Sequence, residues 1–385
     1  MDKLKVLLIF GTRPEAIKMA PVVLEMRKYP KQLQPMVAVT AQHREMLDQV
    51  LDLFGIVPDY DLNIMTAEQT LYDITTKALM GLKTVLEEAK PDLVLVHGDT
   101  TTTFAGALAA FYAQIPAGHV EAGLRTRNKY SPYPEEMNRK LTGSLVDYHF
   151  APTSISKQNL LSENVDEKAI TVTGNTVIDA LKTTVREDFV FEDSEIVKAL
   201  SSGRRLILMT THRRENLGEP MRHVYKALSE VLRTHPDVAA IFPVHKNPKV
   251  RQIVKEELGE NERVHLTEPM DYAPFANLMS RVDIVLTDSG GIQEEAPALG
   301  KPVLVLRDTT ERPEAVTAGT VRLIGTEYES VLRETNRLLD DKEHYLSMAE
   351  AVNPYGDGLA SARIVQNILQ KFGYNIQVLS EFGAI

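Results

Sequence analysis

Cysteine is missing from all 385 residues, which removes disulfides, thiolate metal sites and cysteine nucleophiles together. A surplus of positive charge is missing too, the formal net charge being −10 at pH 7. A general nucleic-acid binder needs a basic surface to engage phosphates, so that class is excluded. A small anionic ligand is not, because a local group of arginines can hold a diphosphate while salt screens distant charge. Long apolar runs are also lacking: residues 104–113 form the longest apolar helix candidate, too short to span a bilayer. The chain opens Met-Asp-Lys-Leu-Lys-Val and runs into a strand-like stretch ending at Phe10, with no signal segment. The expectation is a cytoplasmic protein without membrane association. No G-x-G-x-x-G follows the first strand, so bound NAD has no fingerprint. His97, His119, His212 and His245 stand at separate strand ends without ligand spacing, and no metal is expected.

What is present is an ordinary globular composition, 43% hydrophobic and 25% charged, and a length that calls for two domains. Apolar runs at 5–10, 36–40, 93–97, 117–120 and 148–151 alternate with helical periods at 16–28, 44–54, 71–89 and 102–113. After a helix at 175–186, residues 187–204 are polar and acidic and read as a linker or surface excursion. The pattern restarts with strands at 206–210, 239–243, 264–266, 284–287 and 303–306 and helices at 220–234, 248–258, 273–280 and 292–299. Helical stretches at 328–351, broken near Asp340–Asp341, and at 359–372 close the chain. This order predicts an α/β protein of two Rossmann-like, doubly wound domains facing a cleft. The expected domains are 1–170 and 171–365, with a C-terminal helix at about 366–385 packing back on the first. Ligands in such sheets bind beyond the carboxyl ends of the strands, so the cleft is the expected site.

Five motifs stand at those strand ends. Gly11-Thr12-Arg13-Pro14 follows the first strand, with Pro14 suited to a first helical turn. Free amides there, with Arg13 and Lys18, would attract phosphate, although a plain strand-to-helix turn fits too. In His97-Gly98-Asp99-Thr100 the threonines suffice as helix caps, whereas Asp99 stands where a carboxylate would accept a proton or bind sugar hydroxyls. Glu121 directly follows the strand at 117–120, and Glu135 and Arg139 are four apart on a helix start, compatible with a salt bridge. His212-Arg213-Arg214 is a cationic group that calls for an anion, and a diphosphate would be one. Ser289-Gly290-Gly291 offers close backbone approach to phosphate, and Glu295 one turn on is placed to take both hydroxyls of a ribose.

The strings GTRPEAIKMAP, AQHREMLDQV, VHGDTTTT, GHVEAGLRT, SPYPEEMNR, HRREN, TDSGGIQEEAP, LRDTTERPEAV and NPYGDG resemble the non-hydrolysing UDP-N-acetylglucosamine 2-epimerases of bacteria, from Gly11 to about Ala362. The resemblance implies the GT-B fold and interconversion of UDP-N-acetylglucosamine and UDP-N-acetylmannosamine without a cofactor. It implies anti elimination of UDP to 2-acetamidoglucal, then return of UDP after reprotonation at C2. By position, Arg13, His212, Ser289, Gly290 and Gly291 would contact the diphosphate, Phe275 would flank uracil and Glu295 would bind ribose. Arg312 and Lys18 would line the sugar-phosphate region, with Arg139 among the substrate-binding residues. Asp99, Glu121 and Glu135 would be the acid and base group, with His212 beside them as a catalytic residue. Met270 stands where some relatives carry Gln near uracil, which puts a side-chain contact there in doubt. Gln42, Arg213 and His245 match a second, allosteric substrate site, and the family implies a homodimer serving cell-surface polysaccharide synthesis. The competing readings are a GT-B glycosyltransferase using a UDP-sugar donor, a hydrolysing epimerase and a silent sugar-nucleotide sensor. Retention of all three acids speaks against the last, and three acids exceed what a transferase needs.

Overall fold

The computed structural model describes residues 3–383 apart from Gln42, His43 and Ala67, so the expectation for Gln42 lies outside the described residues. The chain divides into two compact units, one running to Thr183 and resuming at Tyr355, the other spanning Thr184–Pro354.

In the first unit strands and helices alternate: β1 (Leu4–Phe10), α1 (Arg13–Met26), β2 (Leu33–Val39), α2 (Arg44–Leu53), β3 (Tyr60–Asp61), α3 (Leu71–Ala89), β4 (Leu93–His97), α4 (Thr101–Tyr112), β5 (Ala117–Val120), α5 (Glu135–Leu145), β6 (Tyr148–Ala151), α6 (Ser154–Ser162), β7 (Ile170–Val172) and α7 (Thr176–Thr184). The strands form one parallel sheet in the order β3-β2-β1-β4-β5-β6-β7. Its central strands are buried on both faces, which is why they read as unbroken apolar runs rather than alternating ones. The order reverses between β1 and β4, and that reversal opens the crevice where doubly wound sheets take ligands.

The second unit repeats the plan with α8 (Ser194–Ser201), β8 (Arg205–Thr210), α9 (Glu219–Thr234), β9 (Val238–Pro243), α10 (Pro248–Leu258), β10 (Val264–Thr267), α11 (Tyr272–Arg281), β11 (Ile284–Thr287), α12 (Ile292–Ala298), β12 (Val303–Val305), α13 (Pro313–Ala318), β13 (Val321–Leu323), α14 (Tyr328–Asp340) and α15 (Lys342–Ala349). Its sheet runs β10-β9-β8-β11-β12-β13, all parallel, with the reversal between β8 and β11. Among the described residues no helix is long and apolar enough to cross a membrane.

The last helix, α16 (Ala360–Lys371), belongs to the first unit. Its opening amides, Ala360 N and Ser361 N, donate to the buried Asp179 of α7 at 3.3 and 2.7 Å. Asp357 takes a two-pronged ion pair from Arg363 at 2.8 and 2.7 Å. Gly358 has φ of +82°, and a Cβ there would lie 2.5 Å from Lys182 Cδ, so only glycine suits the position. The NPYGDG string is thereby given a structural reason.

Two expectations are corrected. Residues 187–204 are not merely a linker: Asp193 caps α8 through bonds from Glu195 N and Ile196 N, and Ile196 and Ala199 bury its inner face. The expected boundaries at 170/171 and 365/366 shift to 183/184 and 354/355, because β7 pairs with β6 and carries α7 with it into the first unit.

Candidate active site

In the first unit the turn from β1 into α1 is built around Gly11 and Glu15. A Cβ on Gly11 would lie 2.0 Å from Thr40 Oγ1 and 2.7 Å from Thr102 Oγ1, so close packing, not φ, requires the glycine. Buried Glu15 accepts from Gly11 N, Thr12 N and Thr12 Oγ1 through one oxygen and from Thr100 Oγ1 and Thr103 Oγ1 through the other. One carboxylate therefore ties the loop after β1, which leads into Arg13 at the start of α1, to the loop after β4, which carries Asp99.

Glu121 follows β5 directly, with φ of +65°, an uncommon conformation for a residue with a side chain. Its carboxylate is buried and receives Lys18 Nζ at 2.8 and 2.6 Å and His97 Nε2 at 2.8 Å. Burial pushes this carboxyl up, but the Lys18 charge and the bonds from His97 and Lys18 outweigh it and hold it well below the usual range. Deeper in the sheet, burial lowers His119 to about 3 and His149 to about 4, so both imidazoles are neutral at physiological pH. His119 Nε2 lies 2.7 Å from Gly98 O, at the loop that carries Asp99.

Asp99 Oδ2 accepts from Arg139 Nε and Nη2 at 3.0 and 2.6 Å, and Asn138 Nδ2 donates to the Asp99 carbonyl. The expected Glu135–Arg139 pairing is corrected: Arg139 spans Asp99 and Glu136 instead. Buried Glu136 also accepts from Thr126 N and Arg127 N, which anchors the loop after Glu121 to α5. Glu135 Oε2 is buried and has no hydrogen-bond partner among the described residues.

In the second unit Asp288, fully buried after β11, is the hub. Its Oδ2 accepts from His212 N and Arg213 N, both at 2.8 Å, and its Oδ1 lies 2.9 Å from His212 Nδ1. Burial pushes this carboxyl up, but the bonds from His212 and the two amides prevail and lower it. Arg213 Nε donates to the Asp288 carbonyl at 3.3 Å. His245, after β9, stacks on His212 with ring centres 6.2 Å apart. Gln293 donates to Ser289 O and accepts from Thr310 Oγ1, which in turn accepts from Arg312 N. Arg312 Nε donates to buried Glu294 at 2.7 Å.

Neither Gly290 nor Gly291 has positive φ, and a Cβ on either would meet only ordinary contacts, at 3.6 Å, from Arg312 and Glu295. The chain itself does not demand glycine there. Phe275 is half-buried in the first turn of α11, with half-buried Met270 shortly before it.

Within each unit expected residues follow the ends of neighbouring strands: Arg13 after β1, Asp99 after β4 and Glu121 after β5 in one, His212 after β8, His245 after β9 and Ser289 after β11 in the other. Sequence reasoning missed the buried carboxylates Glu15, Glu136 and Asp288, and it missed His97 and Gln293. Asp288 carried a signal, since it follows a strand at the same place in its unit as Asp99 does near β4.

The family model for UDP-N-acetylglucosamine 2-epimerase matches residues 25–369. The UDP-N-acetylglucosamine 2-epimerase of Bacillus subtilis (strain 168) is 57% identical over 374 residues, 97% of each chain. A crystal structure of the UDP-GlcNAc 2-epimerase from Neisseria meningitidis bound to UDP-GlcNAc is 53% identical, with a TM-score of 0.83 over 95% of this chain and 100% of that one. The Methanocaldococcus jannaschii enzyme in complex with UDP-GlcNAc and UDP is 34% identical, with a TM-score of 0.74 over 96% and 100%. Coverage at this identity, with the strand-end carboxylates and the Ser-Gly-Gly loop in place, leaves one conclusion: the chain belongs to the UDP-N-acetylglucosamine 2-epimerase family.

Proposed function

We propose that the protein interconverts UDP-N-acetylglucosamine and UDP-N-acetylmannosamine by eliminating UDP and adding it back. A carboxylate removes the C2 proton, the C2–H pair forms C1=C2, and the C1–O pair leaves with the β-phosphate. Protonation of 2-acetamidoglucal at C2 on the opposite face and return of UDP to C1 complete the epimerisation. The hydrogen at C2 is not next to a carbonyl, so its loss depends on stabilising the departing diphosphate. The observation that carries this reading is the pair of carboxylates after consecutive strands β4 and β5 of the first unit, with a third at the start of α5. Glu121 is ionised between Lys18 and His97, Asp99 is held by Arg139, and Glu135 has a buried oxygen with no partner among the described residues.

In this reading Arg13, His212, Ser289, Gly290, Gly291 and Arg312 hold the diphosphate, Glu295 the ribose, and Phe275 and the Met270 backbone the uracil. The UDP-GlcNAc and UDP in the two related structures support the ligand class. The same reading includes a cytoplasmic homodimer that supplies cell-surface polysaccharide synthesis. Exposed Met80 and Tyr112, lining a groove of about 800 Å³ between α3 and α4, support a face for the second copy. A second substrate bound near Gln42, Arg213 and His245 would regulate the site, and sigmoidal kinetics abolished by Gln42→Ala would test it.

Proton NMR of the protein with UDP-N-acetylglucosamine in deuterated water tests the chemistry. UDP-N-acetylmannosamine carrying deuterium at C2, with UDP retained at equilibrium, is expected. Free N-acetylmannosamine with UDP, or no reaction until an acceptor is added, refutes the proposal.

A further inference from the structure

The second unit places a buried anion directly behind the histidine assigned to the diphosphate. Asp288 is fully buried, while the His212 side chain is 41% exposed. The carboxylate is anchored first by the chain: Oδ2 accepts two consecutive amides, His212 N and Arg213 N, each at 2.8 Å. Asn216 Nδ2 lies 3.5 Å from the same oxygen, and Tyr225 stands behind it, bonded to Thr211. This leaves Oδ1, which makes no regular hydrogen bond among the described residues, 2.9 Å from His212 Nδ1. An ionised carboxylate only accepts, so at this separation its charge favours the tautomer with the proton on Nδ1. In a histidine held at one nitrogen, that bond decides what the other nitrogen offers.

We infer that Asp288 is a positioning residue for the reaction: it fixes the proton of His212 on Nδ1 and turns Nε2 outward to the substrate diphosphate. The inference rests on the proposed assignment of His212 to that diphosphate. A neutral imidazole of this tautomer presents a lone pair at Nε2, which a phosphate oxygen repels. Contact therefore requires a second proton, and the imidazolium sits between two anions, Asp288 behind and the diphosphate in front. Binding of UDP thus takes up a proton at His212, and the charge is in place when the C1–O bond breaks. Among the described side chains, the other charged or titratable groups facing this pair are Arg213, through its Nε on the Asp288 carbonyl, His245, stacked on the ring, and Tyr225.

Asp288→Asn separates this role from a purely structural one. The amide oxygen can keep both backbone bonds, while its NH₂ faces Nδ1 and forces the proton to Nε2. The expected outcomes concern the intact protein. Nitrogen-15 NMR of His212 changes from the Nδ1–H to the Nε2–H tautomer. Between pH 7 and 9, where UDP itself no longer titrates, UDP affinity in the parent protein weakens up to about tenfold per pH unit, as one linked proton requires. In Asp288→Asn that slope flattens, whereas a structural defect would lower affinity equally at every pH. The kcat falls about 100-fold, within the range for a positioned proton donor, and Asp288→Asn costs nothing further in a His212→Gln background. A neutral His212 found as Nε2–H in the parent protein would overturn the inference, even if the variant failed to fold. An undiminished slope in Asp288→Asn would overturn it as well. The tautomer and UDP-affinity readouts need no turnover, so a protein that binds UDP this way yet fails to epimerise would refute the proposed function alone.

Discussion

Two neutral histidines buried in the first unit should make it fail in mild acid. His119 and His149 are paired across β5 and β6, and burial lowers them from 6.5 to about 3 and about 4. Arg125 lowers His149 further, and Asp147 offsets this only in part. The sign follows from proton counting: as pH falls below 6.5 the unfolded chain takes up two protons that the folded unit refuses. Stability is therefore complete above about pH 6.5 and declines as the pH drops toward the folded values. At one and a half pH units below 6.5, each histidine costs about 2 kcal/mol, and the pair about 4 kcal/mol. Glu121 acts in the same direction only below its own unfolded value near 4.5, so it does not intrude in this window.

Native-state hydrogen exchange reads the effect where it arises, at the amides of β5 and β6. After correction for intrinsic exchange, opening should become about a thousandfold easier at pH 5 than at pH 7.5. His149→Phe should remove roughly half of that dependence in free-energy terms, because one of the two protons is gone. Protection that changes less than tenfold, or a dependence undiminished in His149→Phe, would refute the reasoning.

Three further outcomes follow from the site. Gly11→Ala drives a methyl into Thr40 and Thr102 and should destabilise the first unit by about 1–3 kcal/mol, seen as a lower unfolding midpoint at unchanged slope. Glu121→Gln removes the partner of both Lys18 and His97; kcat should fall about 10²–10⁴-fold, and deuterium exchange at C2 should slow with it. Arg139→Lys keeps the charge but loses the two-pronged grip on Asp99, so kcat should drop while UDP affinity, measured by calorimetry, stays within about threefold.

The sheets were legible because their central strands are buried on both faces. Residues 93–97, 117–120, 148–151 and 284–287 were placed to the residue, since a doubly covered parallel strand is a plain apolar run. Edge strands of two or three residues, β3, β7 and β13, have no such run to show. The helix α8 hid in an acidic stretch because only Ile196 and Ala199 face inward. Strand-end residues such as Asp99, Glu121 and His212 were legible by position. Their partners were not: the i, i+4 spacing paired Arg139 with Glu135, yet its guanidinium reaches Asp99, forty positions away. Nothing local marks Glu15, Glu136 or Asp288 as buried, because a carboxylate that accepts loop amides reads in sequence like any surface acid.

Those buried carboxylates explain how an acidic chain can receive a dianion. Several negative groups near the expected ligand are already answered within their own unit: Glu121 by Lys18, Asp99 by Arg139, Glu294 by Arg312, and Asp288 by the His212 and Arg213 amides. Pairing at 2.6–2.9 Å cancels most of the field at the distance of a ligand, so the net charge of −10 is no guide to the local potential. The same pairing divides the three acids of the first unit. Asp99 is gripped by Arg139 and Glu121 is held ionised by Lys18 and His97, whereas Glu135 keeps a buried oxygen for which the described residues supply no donor. A buried acceptor left open costs stability, and in the proposed reaction a substrate hydroxyl would satisfy it.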